Sequence, residues 1–298
     1  MLGAFSLATA LLVPAPLSKS SSPHTHLSRR SFLGGAAAAS ALAVLPTSPA
    51  FAASSGVYKP AAGSLEGTTI CAKNLPNSLA VIAMAPKGGL LNAPDSYMEK
   101  IAIGPGYPAG LVDLDASVAD NVNALAKAKG VSVGEITACV LDRPRHARII
   151  EELRATGVSI RLIGDGDVAG VIHTTDPEET GIDLYMGIGG APEGVLAAAA
   201  LRCIGGQMQG RLVITRDEQV ERAHKMGISD IKRKYTMEEM ATGDVLFAAT
   251  GVTDGNFLQG VRLGRDSVTT HTVVMRSTTG TVRYIKARHT HVEKFHLD

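Results

Sequence analysis

The sequence contains no tryptophan, and aromatic residues make up only 4% of its 298 positions. It has three cysteines, which are too few to hold a chain of this length together through disulfide bonds. Residues 1–65 contain no Asp or Glu, and the first acidic residue is Glu66. Apolar residues account for 45% of the chain and charged residues for 19%, so the sequence can form a core, which excludes a wholly disordered chain.

The net charge of +1 combines two unlike parts of the chain. Lys19, Arg29 and Arg30 are the charged residues of the segment 1–52. Removing this segment leaves 26 Lys and Arg against 28 Asp and Glu, which is a net charge of −2. Such a balance lacks the excess of cations that nucleic-acid binding requires, so no nucleic-acid partner is predicted.

Residues 1–52 are predicted to be a targeting leader. Residues 29–33 (RRSFL) resemble a twin-arginine export signal. The Gly- and Ala-rich apolar run 33–45 is too short to span a bilayer, and Ala50-Phe51-Ala52 fits a cleavage site. The sequence therefore predicts a removable signal and no stable membrane anchor.

The preamble before the arginine pair indicates the compartment. The 28 residues before Arg29 contain Ser and no acid, a composition typical of a transit peptide. This favours a plastid, and the twin-arginine segment points to the thylakoid lumen. A bacterial periplasmic protein with a long start is the alternative, and the apolar segment 2–14 leaves an additional endoplasmic-reticulum signal open, as in algae with complex plastids. The small, polar segment 53–65 is predicted to be a linker before a domain that spans 66–298.

The rest of the chain alternates between short apolar runs and amphipathic segments. Strand–helix alternation with short connections predicts an α/β fold with a largely parallel sheet flanked by helices. After residue 244 the pattern changes to strands, with a hairpin at Gly280. The predicted strands cover 79–85, 135–141, 158–163, 182–188, 245–249, 267–276 and 281–288, and the predicted helices cover 117–130, 145–156, 168–173 and 192–204.

A glycine-rich turn is the most informative local motif. The run 187–190 (GIGG) follows an apolar strand and opens a helix with Pro192 and Glu193. Backbone N–H groups at such a helix start form a cradle for phosphate or carboxylate, and Glu193 is a candidate ligand for a cation that neutralises phosphate. A tight turn without a ligand remains the alternative.

Two further turns follow predicted strands. Asp165-Gly166-Asp167 offers two carboxylates, which suit a divalent metal or sugar hydroxyls. Arg143-Pro144-Arg145 offers guanidinium groups, which match phosphate oxygens bidentately. Each turn taken alone fits a solvated loop equally well, but all three lie at carboxyl ends of predicted strands and are therefore expected at one edge of the sheet. The segment 164–169 also fits a weak dinucleotide pattern, but its two carboxylates would face a pyrophosphate, so a dehydrogenase is a distant alternative.

Several ordered motifs together resemble class II fructose-1,6-bisphosphatase over about residues 63–288. The segments that carry the resemblance are LNAPDSYMEKIAIGPG (91–106), DRPRHA (142–147), DGDVAG (165–170), the GIGGAPEGV run from Gly187, and FAATGVTDGNFLQGV (247–261). The resemblance implies a sugar-phosphatase fold of the inositol-monophosphatase superfamily, with a remnant of the first metal-binding domain at the N-terminal side. It also implies hydrolysis of the 1-phosphate of fructose 1,6-bisphosphate with Mg²⁺ or Mn²⁺, in gluconeogenesis or the Calvin cycle. The related cyanobacterial enzyme also accepts sedoheptulose 1,7-bisphosphate.

The resemblance assigns roles to individual residues. It implies that Glu66 and Glu193 bind metal, and it assigns no catalytic residue. The implied substrate-binding residues are Glu66, Gly67, Thr68, Tyr97, Arg143, Pro144, Arg145, Asp165, Gly166, Asp167 and Gly190.

The chain also departs from the family pattern. Gly63 stands where the family has a metal-binding Asp, and Ala147 stands where the family usually has Asp. Because no acid precedes Glu66, the family's N-terminal metal ligands are absent too, which indicates a chain truncated relative to the family or an incomplete gene model. Missing elements would leave apolar surface uncovered, so a homo-oligomer is predicted.

Two functional hypotheses follow from these departures. The first is a working sugar-bisphosphate phosphatase, completed if necessary by another chain. The second is a degenerate homologue that binds sugar phosphate or a partner without turnover.

Overall fold

The computed structural model describes residues 59–292, which form an α/β structure with two six-stranded sheets. The predicted leader 1–52 and residues 53–58 of the predicted linker lie outside the described residues. The strands are β1 (Lys59–Glu66), β2 (Leu79–Ala85), β3 (Tyr97–Ile103), β4 (Thr137–Leu141), β5 (Ser159–Ile163), β6 (Leu184–Gly190), β7 (Gln207–Val213), β8 (Lys234–Thr236), β9 (Leu246–Gly251), β10 (Arg262–Leu263), β11 (Val268–Arg276) and β12 (Thr281–His289).

Helices and short turns of 3₁₀ helix connect these strands. The helices are α1 (Thr68–Ala72), α2 (Val118–Lys129), α3 (Ala147–Thr156), α4 (Asp167–His173), α5 (Pro177–Thr180), α6 (Ala191–Ile204), α7 (Asp217–Lys225) and α8 (Met237–Met240). The 3₁₀ turns span Val133–Glu135 and Pro144–His146. The four helices that the sequence predicts correspond to α2, α3, α4 and α6. Of the described helices, none combines the length and the apolar composition that crossing a membrane would need.

The prediction of a largely parallel sheet is wrong. The first sheet has the order β1-β2-β9-β11-β10, with β12 also paired to β11, and all of its pairings are antiparallel. The second sheet has the order β5-β4-β6-β3-β7-β8. In it, β4 pairs in parallel with β5 and β6, whereas β3, β7 and β8 are added antiparallel.

Strands β3 and β7 explain the error. Neither is a continuous apolar run, because β3 contains Glu99 and Lys100 and β7 alternates polar residues with buried ones. The search for apolar strands between helices therefore does not predict β3 or β7. Once they are inserted beside β6, the centre of the second sheet becomes antiparallel.

Part of the predicted linker is also a strand. β1 begins at Lys59, within the segment 53–65, and it pairs antiparallel with β2 from Lys59 opposite Ala85 to Glu66 opposite Leu79. The small residues of this segment lack the apolar alternation that marks a strand, but the backbone hydrogen bonds to β2 do not depend on it. The described part, residues 59–65, is therefore a paired strand and not a linker.

Helix α6 joins the two sheets. It contacts β1, β2 and β9 of the first sheet and β3, β6 and β7 of the second. Residues 197–200 are four consecutive alanines, all buried, so the helix can approach both sheets closely. A second apolar cluster packs α2 and α3 against the second sheet. Helix α6 therefore takes its position from both sheets at once, and its first turn lies at the site described next.

Candidate active site

Two buried carboxylates and one half-buried carboxylate come together from separate parts of the chain. Glu66 is the last residue of β1, Asp167 is the first residue of α4, and Glu193 lies in the first turn of α6. Glu66 is 4% exposed and Asp167 is 6% exposed. These three residues are called the carboxylate cluster below.

Lys100 supplies a positive charge to the carboxylate cluster. Its side chain is fully buried in the second sheet, where it forms an ion pair with Asp167. The Lys100 ammonium also donates a hydrogen bond to the Gly190 carbonyl oxygen at 2.9 Å. If all three carboxyl groups are ionised, the single Lys100 ammonium leaves a net charge of −2. One divalent cation would neutralise this charge.

The burial of the carboxylate cluster changes its acidity. Burial raises the pKa of Glu66 well above its usual range, and the neighbouring Asp167 raises it further, although the Val168 N–H donates to Glu66 Oε1 at 2.9 Å and opposes the shift. Burial also raises the pKa of Glu193; the charge of Asp167 adds to the shift, whereas Lys100 opposes it. A cation bound between Glu66 and Glu193 would therefore favour the loss of their protons.

Replacing Glu66 by Gln is expected to stabilise the metal-free protein at neutral pH. A carboxyl whose pKa is raised on folding binds more protons in the folded than in the unfolded state. Its contribution to stability is therefore lost as the pH rises from the ordinary value of 4.5 through the folded pKa. The Gln side chain cannot ionise and keeps an acceptor for the Val168 N–H.

Thermal or denaturant unfolding in the presence of a chelator, at pH 5 and pH 8, measures this effect. The advantage of Glu66→Gln should grow with pH, by about 1.4 kcal/mol for each unit by which folding raises the pKa. A variant that is less stable than the wild type at pH 8 would contradict the charge assignment of the cluster.

The glycine run 187–190 at the end of β6 leaves room for the carboxylates of Asp167 and Glu193. A Cβ on Gly190 would overlap the Glu193 carboxylate, and a Cβ on Gly189 would overlap the Asp167 carboxylate. A Cβ on Gly187 would lie 3.3 Å from His146 Nε2. Glycine is therefore favoured at these three positions, because the side chains of Glu193, Asp167 and His146 occupy the space that a Cβ would need.

Arg145 forms the cationic side of the site. Its guanidinium lies 4.9 Å from the centre of the Tyr97 ring, and its Nε donates to the Ile188 carbonyl oxygen at 2.9 Å. Arg145 is exposed, and Tyr97 is 48% exposed. Two contacts thus orient a guanidinium that remains accessible to an anion.

Asp165 connects the arginine turn to the start of α1. Its carboxylate accepts a hydrogen bond from the Thr69 N–H at 3.1 Å and lies 3.9 Å from an Arg143 guanidinium nitrogen. Gly67, directly before α1, has φ +75°, a conformation that favours glycine. The turns 66–69, 143–145 and 165–167 therefore form one contiguous surface.

The structure brings the predicted site residues to one edge of the second sheet. Strands β4, β5 and β6 are parallel, so the turns that follow them lie together, as expected. Tyr97 joins them because β3 runs antiparallel to β6 and pairs Tyr97 with Gly190. Glu66 arrives from the first sheet and reaches α4 through Val168. The placement supports a shared site, while the individual binding roles stay predictions.

The sequence reading did not assign a role to Lys100 or His146. A charged residue between apolar neighbours in β3 is the signal that points to Lys100. His146 stands next to Arg145 in the DRPRHA segment, and its two ring contacts become visible once β4 and β6 are placed side by side.

The carboxylate cluster is a partial ligand set for a metal ion. Among residues 59–292, no group of three or more His, Cys, Asp or Glu side chains is arranged to hold a metal ion. Asp167 is engaged by Lys100, which leaves Glu66 and Glu193. Mg²⁺ is commonly bound by one or two carboxylates together with substrate phosphate and water. The two glutamates therefore fit an ion whose coordination is completed by a phosphate ligand.

Comparison with known proteins identifies the family. Residues 59–289 match the family model described as bacterial fructose-1,6-bisphosphatase, glpX-encoded. The chain belongs to this fructose-1,6-bisphosphatase family. The resemblance found in the sequence is thus confirmed, whereas the predicted truncation and leader remain predictions.

This fructose-bisphosphatase chain is similar to curated proteins of Prochlorococcus marinus and Synechococcus elongatus. Proteins of two Prochlorococcus marinus strains, MIT 9303 and MIT 9313, are each 41% identical over 238 residues, covering 75% of this chain and 71% of the relative. A protein of Synechococcus elongatus is 40% identical over 237 residues, covering 75% and 68%. All three are named D-fructose 1,6-bisphosphatase class 2/sedoheptulose 1,7-bisphosphatase.

Proposed function

We propose that this chain is a divalent-metal-dependent phosphatase that hydrolyses the 1-phosphate of fructose 1,6-bisphosphate and also accepts sedoheptulose 1,7-bisphosphate. The observation that carries the proposal is the contiguity of a largely buried carboxylate cluster with an accessible Arg145 and Tyr97, in a member of a fructose-bisphosphatase family. Relatives about 40% identical are named for both activities.

The substrate side of the site is built from Arg143, Arg145, Tyr97 and Asp165. The Arg145 fork, fixed by Tyr97 and the Ile188 carbonyl, binds phosphate oxygens. The half-buried Asp165 carboxylate accepts hydrogen bonds from sugar hydroxyls.

Asp167, which the resemblance implies as a substrate contact, is buried and paired with Lys100. It therefore acts on the substrate through Glu66 and Lys100, which it holds in place. Its predicted role changes from contacting the sugar to positioning the carboxylate cluster.

Glu66 and Glu193 would hold the metal ion, Mg²⁺ or Mn²⁺. When bound, a divalent ion activates a water molecule, screens the phosphate charge and stabilises the leaving alkoxide. Lys100 neutralises Asp167 behind the glutamates, so their negative charge remains available to the cation. The Gly190 carbonyl, held by Lys100, fixes the start of α6 and with it Glu193.

Phosphate release from fructose 1,6-bisphosphate tests the proposal. The purified protein with Mn²⁺ or Mg²⁺ should release one phosphate and form fructose 6-phosphate. Glu193→Ala should lower kcat/KM by more than about 100-fold, since removing the partners of a metal ligand already costs about 10- to 100-fold. The matched control is Glu218→Ala, which removes an exposed Glu that also lies in the first turn of a helix, α7. Equal release by the wild type and Glu193→Ala would exclude phosphatase activity at this site.

Binding without turnover is the second candidate function. The observation that favours it is the incomplete ligand set: Gly63 stands where the family has Asp, and the described residues contain no metal-holding group of three. Calorimetry would then show sugar-bisphosphate binding that depends on Arg145, without phosphate release above the Glu193→Ala level.

Further proposals rest on the sequence. We propose a sugar-phosphatase fold of the inositol-monophosphatase superfamily and a homo-oligomeric state. We also propose that residues 1–52 direct the protein to a plastid, with the bacterial periplasm as the alternative, and that no stable membrane anchor remains in the mature chain.

A further inference from the structure

His146 links the ends of two neighbouring strands through both of its ring nitrogens. It closes the 3₁₀ turn after β4 and is fully buried. Its Nδ1 lies 2.7 Å from the Leu141 carbonyl oxygen, and its Nε2 lies 2.7 Å from the Ile188 backbone nitrogen. The Ile188 N–H can only donate, so Nε2 accepts and Nδ1 carries the proton that is donated to Leu141. The geometry therefore requires a neutral imidazole in one tautomer.

The residue before His146 contacts the same residue, Ile188, through its carbonyl oxygen. Arg145 Nε donates to the Ile188 carbonyl oxygen at 2.9 Å, so two consecutive residues engage the N–H and the C=O of Ile188. The ladder between β4 and β6 ends at Cys139 opposite Tyr185. Beyond that pair, the hydrogen bonds of Arg145 and His146 continue the connection between the two strands.

The imidazole is also confined by close packing. A Cβ at Gly187 would lie 3.3 Å from His146 Nε2 and 3.4 Å from the Tyr185 hydroxyl. A side chain at position 187 would therefore crowd the ring, and glycine leaves it room. His146 therefore lies beside the first half of the run 187–190, whereas Glu193 is positioned by α6, which begins after this run at Ala191.

We propose that His146 is a positioning residue for substrate binding, which sets the Arg145 guanidinium against the glycine run 187–190 through its two backbone hydrogen bonds. The proposal rests on the proposed function in that the ligand placed by Arg145 is a sugar phosphate. His146 itself contacts backbone groups.

The charges around His146 support a neutral ring. The charged and titratable groups that face it are Arg143 and Arg145 of its own turn and Tyr185 of β6. Burial lowers the pKa of His146 and the two arginines lower it further, while the hydrogen bonds with Leu141 and Ile188 oppose the shift. The ring is neutral at pH 7, and protonation in acid would remove the acceptor for the Ile188 N–H.

The two backbone hydrogen bonds of His146, called the clamp below, can be tested without a ligand. Amide hydrogen exchange, followed by NMR on the full chain, should show the Ile188 N–H exchanging about 100-fold faster in His146→Ala than in the wild type. His146→Gln, whose amide oxygen can accept one hydrogen bond, should give an intermediate rate. The matched control is His173→Gln, which changes a second buried histidine whose Nε2 has no hydrogen-bond partner among the described residues. It should leave Ile188 exchange unchanged.

A second measurement tests the positioning of substrate. Fructose 1,6-bisphosphate binding by calorimetry should weaken about tenfold in His146→Ala, and KM should rise by a similar factor while kcat stays within about twofold. As the pH falls below 6.5, the ordinary imidazole value below which burial shifts the pKa of His146, the wild type should lose affinity relative to His146→Gln, because only the wild type can protonate the ring. Comparing the two proteins at each pH cancels the titration of the substrate phosphate.

The two measurements separate the possible failures. Unchanged Ile188 exchange in a folded His146→Ala protein overturns the clamp, and faster exchange with unchanged affinity overturns the positioning role. If the Ala variant does not fold, the same criteria apply to His146→Gln. If the wild type binds no sugar bisphosphate, the proposed function fails and the substrate-positioning role fails with it, while exchange still decides the clamp.

Discussion

Replacing Lys100 by Met is expected to destabilise the protein by about 3–5 kcal/mol, because the change leaves Asp167 as a buried carboxylate without its cation. The Met side chain has a similar length and can follow the path of the lysine stem past Gly194. The cost therefore comes from charge and from the lost hydrogen bond to the Gly190 carbonyl, with little contribution from packing. Denaturant unfolding at pH 7 measures it.

Two further variants separate charge from shape in this first prediction. Lys100→Met combined with Asp167→Asn should recover most of the lost stability, since removing both partners of a buried ion pair is often nearly neutral. Phosphatase activity should stay low in the double variant, because the Gly190 carbonyl and Glu66 remain without their charged neighbours. Lys129→Met, which breaks a pair with Asp183 in which the lysine is one-third exposed, should cost clearly less. A Lys100→Met protein as stable as the wild type would refute this electrostatic account.

Replacing Gly190 by Ala is expected to lower kcat/KM by more than about 100-fold, since a displacement of about 1 Å in a catalytic group can have that effect. The added Cβ would overlap the Glu193 carboxylate, whose carbon it would meet at 2.8 Å. Glu193 would then have to leave the cluster that it forms with Glu66 and Asp167. Gly190 has φ −59° and ψ 142°, which any residue adopts, so backbone strain does not contribute.

Gly134→Ala is the matched control for this second prediction. Around Gly134 the nearest described atom to an added Cβ is the Gly157 carbonyl oxygen, at 3.8 Å, and activity should remain at the wild-type level. Combining Gly190→Ala with Glu193→Ala removes the overlap, so the double variant should unfold like Glu193→Ala alone and stay inactive. Wild-type kinetics in Gly190→Ala would mean that Glu193 tolerates another position, and its proposed role would fall.

Helix ends are predictable from this sequence because their signals are local. The Ser117 hydroxyl accepts a hydrogen bond from the Asp120 N–H at the start of α2, and Gly130 adopts the left-handed conformation that ends it. Gly157 ends α3 in the same conformation. Each of these residues lies within four positions of the helix end that it marks, so the sequence alone suffices to place the end.

The antiparallel half of the second sheet is not predictable in this way. Lys100 makes β3 look unsuited to a sheet interior until Asp167, 67 residues later, is placed beside it. Tyr97 likewise reaches the site through a pairing with Gly190 that no local pattern encodes. The predicted turns after β4, β5 and β6 do meet, because those three strands are parallel and the rule about strand ends applies to them.

The four consecutive alanines of α6 have a consequence for how this chain can change over evolutionary time. They set the separation of the two sheets while the first turn of the same helix presents Glu193. A larger residue among positions 197–200 would push the helix along its axis or apart from one sheet, and the glutamate would move with it. Selection for catalytic activity therefore constrains these alanine side chains, although they lie away from the predicted ligands. It also constrains the first sheet, whose position affects Glu193 through α6 even though the sheet itself supplies a single predicted ligand, Glu66.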